Sequence, residues 1–213
     1  VGVAELEAFL AGRAPVRDGA VLVTIDDGFR STLTDAMPVL RDHGVPAIAF
    51  ITPTKLGRAP GDGGEDDDLP EPFMTWDELD RLAAAGVTIG SHAWTHRSLG
   101  RMPPAEAEDE AVRSREALER HLGRPVTTFA YPFGTRADYS ETTAAILARA
   151  GYGLAFTSQH GPIRPGMDPH TLPRVKIEGG EGLRPFRLAT RGGLDNWRLI
   201  DQTLWRIQVA GRG

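Results

Sequence analysis

The chain has 213 residues and a mass of 23.0 kDa, which predicts a single domain around one core. Its formal net charge is -5 and its pI is about 5.7, which argues against a general binder of nucleic acid or of anionic membranes. No apolar run approaches the roughly 18 residues that a bilayer-spanning helix needs. Cysteine is absent, which excludes disulfides, thiol nucleophiles and cysteine-based zinc sites.

Short apolar runs alternate with amphipathic stretches, a pattern typical of repeated strand–helix units. The chain begins at Val1 without a signal peptide, so either a targeting segment has been removed or the chain is a fragment. Residues 1–11 have the pattern of a helix end. Residues 20–25 and 46–51 are continuous apolar runs, as expected of buried parallel strands, and a helix is predicted between them over 31–42.

Residues 57–72 combine six acidic side chains with Gly and Pro, which predicts a solvated loop. A calcium site is the alternative for this segment, although the ordered spacing of an EF-hand is absent. Thr75 and Glu78 have the spacing of a capping box, which begins a helix that continues to about Ala85. A short strand is predicted over 87–90.

A long charged helix is predicted to begin at Pro103 and Pro104 and to end near His121. The remaining predicted elements are strands at 126–130, 153–156 and 173–177, and a helix at 138–150. The tail from 184 is predicted to form one or two helices with a solvated basic face, a polyanion site being the alternative. Its predicted apolar contacts are Leu188, Leu194, Trp197, Ile200, Leu204, Trp205 and Ile207.

Polar residues of unusual type follow three of the predicted strands, where sites of parallel α/β folds lie. Asp26 and Asp27 end the first strand, and Gly28 allows the chain to turn so that both carboxylates reach one pocket. Two acids held together repel each other unless a cation or a shared proton separates them. The alternative is that one of them caps the helix over 31–42.

His92 and His96 follow the strand at 87–90. Histidines at i and i+4 lie on one face of a helical turn and can bind one metal ion. The alternative is that one of them caps or packs while the other is exposed. The other histidines, His43, His121, His160 and His170, stand alone in helix or loop settings and are predicted to lie at the surface.

The third segment, Tyr131-Pro132-Phe133-Gly134, follows the strand at 126–130. Aromatic side chains with Pro and Gly predict a rigid, partly apolar wall, and a plain strand-to-helix turn is the alternative. The combination of the three segments is more specific than each alone. One carboxylate with two histidines is typical of a zinc site with open positions, which leaves the second carboxylate free to act as a base.

The segments TIDDG, SHAWTH and AYPFG, in this order, resemble the first three motifs of the NodB-homology polysaccharide deacetylases, carbohydrate esterase family four. LPRVKI, at 172–177, resembles a segment common in exopolysaccharide-type members, and the resemblance covers about residues 1–178. It implies an α/β fold, an irregular (β/α) barrel of about seven strands. The implied catalytic domain is 1–213, with 184–213 as a C-terminal helical segment and with an N-terminal strand missing if the chain is a fragment.

The resemblance also implies roles for individual residues. Asp27, His92 and His96 resemble the metal ligands of the family, Asp26 its catalytic base, and the Phe133 N–H its oxyanion donor. The implied cofactor is a divalent metal, zinc in the first place, with cobalt or nickel as alternatives. The implied activity is removal of N-acetyl groups from an acetylated amino-sugar polymer or oligomer, in the extracellular space or the cell envelope.

The sequence departs from the family pattern at two places. Ala130 stands where many members have an arginine that orients the catalytic aspartate, and we predict that Arg174 takes this role. A late Leu-x-His motif for the general acid is not evident, which leaves His160 and His170 as candidates by elimination. In some members the acidic histidine lies on an upstream strand, but this chain has no histidine before His43.

Other functions remain open on the sequence alone. An O-acetyl carbohydrate esterase would use the same motifs, and a catalytically weak carbohydrate-binding domain would explain the missing arginine and histidine. The metal-independent ring amidohydrolases of this fold usually lose part of the metal set. A non-haem iron oxygenase also uses two histidines and a carboxylate, but its usual fold lacks β/α alternation. Aromatic residues that could stack on sugars, or equally pack in the core, are Trp94, Tyr131, Phe133 and Tyr139.

Overall fold

A computed structural model describes residues 1–60, 71–177 and 182–193 of the chain. Its centre is one parallel sheet whose five strands follow each other in chain order. The strands are β1 (Val23–Ile25), β2 (Ala47–Ile51), β3 (Thr88–Ser91), β4 (Thr128–Ala130) and β5 (Leu154–Phe156). Each connection therefore moves one position in the same direction. This is the connectivity of a (β/α) barrel, since a doubly wound sheet reverses its strand order.

Within the described ranges, six α-helices accompany the sheet. They are α1 (Val3–Leu10), α2 (Met37–Asp42), α3 (Trp76–Ala84), α4 (Pro104–Leu122), α5 (Glu141–Arg149) and α6 (Leu183–Thr190). The predicted capping box is formed, because the Thr75 side chain accepts from the Glu78 N–H and the Glu78 carboxylate accepts from the Thr75 N–H. α4 ends at Gly123, whose positive φ of 63° suits a C-terminal cap.

Both faces of the sheet are buried, which explains the continuous apolar runs of the strands. Ile48 and Phe50 of β2 belong to one apolar cluster with Leu6 of α1. Adjacent residues of a strand point to opposite faces of the sheet. Ala49 and Ile51 therefore belong to the other apolar cluster, which includes residues of α3, α4 and α5. With both faces apolar, the carboxyl edge of the sheet is where polar side chains can gather.

The structure corrects two predictions about the strands. Residues 173–177 are not a strand, and an isolated bridge between Phe156 and Leu172 is the pairing found there. Pro173 has no N–H for a ladder, and the Arg174 N–H donates to Gln159 in a loop. The described residues contain five strands, which form part of the (β/α) barrel of about seven strands that the resemblance implies. The first strand is also shorter than predicted, since only Val23–Ile25 is paired.

Parts of the other predictions lie outside the described residues. Most of the acidic loop, including its alternative as a calcium site, falls at 61–70, and the tail beyond 193 is likewise outside. Within the tail, α6 is a described helix, and its Leu188 is half exposed. In the described part of the chain, no helix is both long enough and apolar enough to cross a membrane.

Candidate metal and catalytic site

The carboxyl ends of β1, β3 and β4 bring the three sequence segments together. The register pairs Ile25 with Ala49, Ile51 with Ser91, and Ser91 with Phe129, so these strands end at a common edge. The segments that follow the strands therefore meet there. The structure in this way brings the acids of the first segment close to the histidines of the second, as the sequence analysis expects.

Asp26 and Asp27 reach the same site because the chain turns sharply between them. The Gly28 N–H donates to the Asp26 carbonyl at 3.0 Å, across a φ of 75° at Asp27. When the N–H of residue i+2 donates to the carbonyl of residue i and the residue between them has a positive φ, the turn is a γ-turn of the rare, strained form. The sequence predicts that Gly28 makes the turn, whereas in the structure both Asp27 and Gly28 have a positive φ. The following Gly28 is confined too, because a Cβ there would lie 3.3 Å from Ile51.

A second turn of the same kind forms the third segment. The Gly134 N–H donates to the Pro132 carbonyl at 2.7 Å, and Phe133 between them has a φ of 62°. Among the described residues, the non-glycine residues with positive φ are Asp27, Ala93, His96 and Phe133, and all four belong to the site segments. Each such residue costs about 1–3 kcal/mol, and such strain is typical of functional sites.

Asp27, His92 and His96 form a cluster of the size that a metal ion requires. The Asp27 Oδ1 lies 3.1 Å from the His96 Nε2 and 3.5 Å from the His92 Nε2. Ligands bound tetrahedrally at about 2.1 Å lie about 3.4 Å apart, so these separations fit one ion. The Asp27 Oδ1 is also buried without a hydrogen-bond partner, as an atom reserved for a cation would be.

The two histidines reach this cluster from a loop rather than from the helical turn that their spacing predicts. His92 follows β3 directly, and both Ala93 and His96 have positive φ. The fully enclosed His92 ring places its Nδ1 2.7 Å from the Ala130 carbonyl oxygen. Donation from Nδ1 to that oxygen leaves the lone pair of Nε2 directed at the cluster, the usual arrangement of a ligating histidine.

The electrostatics of the cluster favour an ionised acid and neutral histidine. Burial lowers the pKa of His92, and this effect outweighs the opposing influence of Asp26 and Asp27. For Asp27, burial alone would raise the pKa. The close contact with the His96 ring, the nearby His92 and Lys55 outweigh the burial effect and lower the pKa to about 2. At neutral pH, Asp27 therefore offers an anionic oxygen and His92 offers an imidazole lone pair.

Arg174 donates hydrogen bonds to both carboxylate oxygens of Asp26. Its Nη1 donates to Oδ1 at 2.7 Å and its Nη2 donates to Oδ2 at 2.8 Å. The guanidinium is itself held by Thr24 and by the Thr157 carbonyl. Burial would raise the pKa of Asp26, but Arg174 and His92 outweigh it and lower the pKa below its usual value. Asp26 is therefore a fixed, ionised carboxylate beside the metal-type cluster.

Ala130 and Phe133 contact the two histidines of the cluster. Ala130 is fully buried, and its carbonyl is the partner of His92. The Phe133 ring meets the His96 ring edge-on at 5.1 Å between centroids, while half of the residue stays exposed. Ser158 donates to the Phe133 carbonyl at 2.6 Å and fixes this turn from the loop after β5.

The two histidines considered for the general acid lie in different places. The His170 Nε2 lies 2.8 Å from the Tyr152 carbonyl oxygen, which precedes β5 and so marks the opposite edge of the sheet from the site. His170 is also more enclosed than predicted, with 16% of its side chain exposed. His160 is partly exposed and lies four residues beyond the end of β5, on the edge where the site is. The surface position predicted for His43 is confirmed.

Two buried carboxylates that contact the site loops are not among the residues predicted from the sequence. Glu110 on α4 accepts two hydrogen bonds from Thr95, and Asp138 accepts from Ser98 and Thr135. A signal for Glu110 exists in the sequence, because it lies on the helix face that is otherwise buried. The buried residues of α4 are Ala107, Glu110, Ala111, Ser114 and Leu118.

Comparisons with known proteins agree with this geometry. A family model described as polysaccharide deacetylase matches residues 13–155. A chitooligosaccharide deacetylase from Bradyrhizobium sp. (strain ANU 289) is 31% identical over 157 residues, which cover 70% of this chain and 61% of the relative. A poly-beta-1,6-N-acetyl-D-glucosamine N-deacetylase from Escherichia coli (strain K12) is 24% identical over 220 residues, covering 87% of this chain and 32% of the relative.

A solved structure, IcaB from Ammonifex degensii, superimposes with a TM-score of 0.74 at 28% identity. The match covers 89% of this chain and 81% of that protein. The deacetylase PplD from Streptococcus pyogenes, at 20% identity and a TM-score of 0.73, supports the fold alone. The chain spans about 61% or less of the two curated relatives named above.

Proposed function

The chain belongs to the polysaccharide deacetylase family, and we propose that it is a metal-dependent hydrolase that removes N-acetyl groups from an acetylated amino-sugar polymer or oligomer. The observation that carries this proposal is the cluster of Asp27, His92 and His96 beside the ionised Asp26. The names of the Bradyrhizobium and E. coli relatives support the substrate class, since both describe deacetylases of N-acetylglucosamine-type saccharides.

Asp27, His92 and His96 are the proposed ligands of a divalent metal. Zinc is the proposed ion because two imidazoles and one carboxylate leave a tetrahedral position open, and cobalt or nickel are the alternatives. Such an ion lowers the pKa of a bound water toward about 7 and polarises the acetyl carbonyl. The carbonyl of Ala130 keeps His92 in the tautomer that binds through Nε2.

Asp26 is the proposed base. It accepts a proton from the water that attacks the acetyl carbonyl. Arg174 keeps this carboxylate ionised and holds both of its oxygens in place, so the acceptor is ready before the substrate arrives. Arg174 thereby takes the orienting role for which Ala130 has no side chain.

Phe133 is the proposed oxyanion donor. Its backbone N–H lies in the strained turn beside His96, where the acetyl carbonyl would be placed by the metal cluster. Ser158 fixes the carbonyl of the same residue, which limits movement of this turn. A donor of this kind contributes about 10²–10³ in kcat to comparable acyl-transfer reactions. We further propose that the protein acts outside the cytoplasm, where such polymers occur.

The proposal is tested by metal content and acetate release together. We expect about one zinc per chain in the wild type, none in His96→Ala, and normal content in His43→Ala, which changes an exposed histidine. Acetate should be released from N-acetylglucosamine oligomers by the zinc-loaded wild type. Absence of metal even after reconstitution would contradict the proposal. Acetate release from acetylated xylan alone would support the O-acetyl esterase instead.

A further inference from the structure

Glu110 of α4 is a buried carboxylate that no step of the proposed reaction uses. Only 6% of this residue is exposed. One of its oxygens accepts from the Thr95 N–H at 2.8 Å and the other accepts from the Thr95 hydroxyl at 2.6 Å. Thr95 directly precedes His96, so Glu110 holds the peptide that leads into a proposed metal ligand.

A second contact joins α4 to the other end of the same loop. One turn after Glu110, the Ser114 hydroxyl lies 2.7 Å from the Ser91 hydroxyl, and both residues are fully buried. Ser91 directly precedes His92. The same helix therefore holds the residue before each of the two histidines.

The loop between these two contacts has a conformation that needs support. Ala93 and His96 have φ values of 64° and 66°, which lie in the left-handed region that is disfavoured for residues with a Cβ. Without external contacts, the loop would relax toward conformations that separate the two imidazoles. A carboxylate that accepts two hydrogen bonds from one loop residue opposes this relaxation, because charged acceptors make the stronger hydrogen bonds.

Fold stability alone does not explain why position 110 has an acidic residue. Ala107, Ala111 and Leu118 on the same face of α4 are apolar and buried. An apolar side chain would bury there without the desolvation cost of a carboxylate. The hydrogen bonds of the Glu110 carboxylate with Thr95 offset this desolvation cost, so the acid stabilises the histidine loop rather than the helix.

We propose that Glu110 is a positioning residue that sets the metal affinity of the site by holding Thr95, and with it His96, in the binding geometry. Glu110 contacts Thr95 and is not itself a ligand in the cluster. The inference rests on the proposed function only in that the cluster must bind a metal. It makes no use of the substrate or of turnover.

The test is zinc binding to the metal-free protein, measured by competition with a chromophoric chelator. We expect Glu110→Ala to weaken zinc binding about 10–100-fold, the usual effect of losing a partner of a ligand. Glu110→Gln should recover much of the affinity, because its amide can accept from the Thr95 N–H and donate to the hydroxyl. The matched control is Glu108→Ala, which removes an exposed acid of the same helix near Arg149. It should bind zinc like the wild type.

Cobalt absorption separates positioning from fold stability. In Glu110→Ala, the visible spectrum of the cobalt-loaded protein should differ from that of the wild type, since it reports ligand geometry. Unchanged zinc affinity and an unchanged spectrum would overturn the inference, even if the melting temperature falls. Should Glu110→Ala fail to fold, Thr95→Val removes only the hydroxyl contact, and wild-type affinity in that variant would overturn the inference as well. Lack of metal in the wild type would instead contradict the proposed function.

Discussion

Arg174 and Asp26 lie 148 residues apart in the chain and form a bidentate ion pair, with N–O distances of 2.7 and 2.8 Å. A guanidinium that meets both oxygens of a carboxylate fixes the plane of the acid as well as its charge. Thr24 and the Thr157 carbonyl complete the binding of the guanidinium. The orientation of the proposed base thus depends on β1 and on the segments that follow β5.

Replacing Arg174 with Ala should reduce kcat by about 100-fold, because the freed carboxylate can move by an ångström or more from its productive position. Zinc content should remain normal, since Arg174 is not part of the ligand cluster. Acetate release under saturating substrate and elemental analysis measure the two quantities. Arg149→Ala changes an exposed arginine and serves as the control. Full turnover in Arg174→Ala would show that another group orients Asp26.

The Asp26→Asn variant should keep its zinc and lose about 10²–10⁴ in kcat, because the amide cannot accept the proton of the attacking water. KM should change much less than kcat, since Asp26 is proposed to act in the chemical step. Steady-state kinetics on N-acetylglucosamine oligomers would separate the two parameters. Turnover close to that of the wild type would exclude Asp26 as the base.

Gly134 closes the turn around Phe133 and has little room for a side chain. A Cβ at this position would lie 2.5 Å from the Ser158 backbone nitrogen. We therefore expect Gly134→Ala to displace the turn, to lower kcat and to reduce the free energy of unfolding. Gly44→Ala is the matched control, because Gly44 has nearly the same φ, 61° against 62°, with open space around it.

The control separates strain from displacement. Gly44→Ala should cost about 1 kcal/mol from the left-handed conformation alone and should leave kcat unchanged. Chemical unfolding and acetate release on both variants provide the measurements. Equal kcat in the two alanine variants would mean that the position of the Phe133 turn is unimportant for turnover.

Asp138 joins the loop after His96 to the turn after Phe133. Its buried carboxylate accepts from the Ser98 hydroxyl at 2.7 Å and from the Thr135 N–H at 3.0 Å. Removing the acid in Asp138→Ala leaves these donors without their partner, which should lower the free energy of unfolding by about 2 kcal/mol. Urea unfolding measures the loss. Asp109→Ala, which removes an exposed acid, should change stability by less than about 0.5 kcal/mol.

Local chemistry explains which elements the sequence predicts well. The capping box of Thr75 and Glu78 acts over three residues, and Gly123 ends α4 by its own backbone preference, so both are visible in the sequence. The apolar run of 46–51 likewise predicts β2, because a strand buried on both faces must be apolar throughout. The strand predicted at 173–177 is wrong, because Pro173 has no N–H for a ladder and the Arg174 N–H donates to the Gln159 carbonyl in a loop instead of a neighbouring strand.

In the candidate site, too, the residue types can be predicted from the sequence, whereas their conformation cannot. Aspartates, histidines and an aromatic turn at strand ends indicate metal chemistry from residue types and spacing alone. The conformation that unites them is not visible, since the turns centred on Asp27 and Phe133 are sterically disfavoured for their own residues. Only packing around them maintains such turns. The spacing along α4 places Glu110 on the buried face of that helix, but its contact with Thr95 exists only in the folded chain.

Patterns in the sequence alone therefore predict the strand–helix alternation, the polar residues at the strand ends and the kind of chemistry that these residues support. These properties depend on interactions between residues close together in the chain. The tertiary structure decided that the Asp27 oxygen faces both histidines, that Arg174 holds Asp26, and that α4 supports the histidine loop. Each of these contacts joins segments that are distant in the chain, so it exists only once the sheet has set the positions of its strand ends.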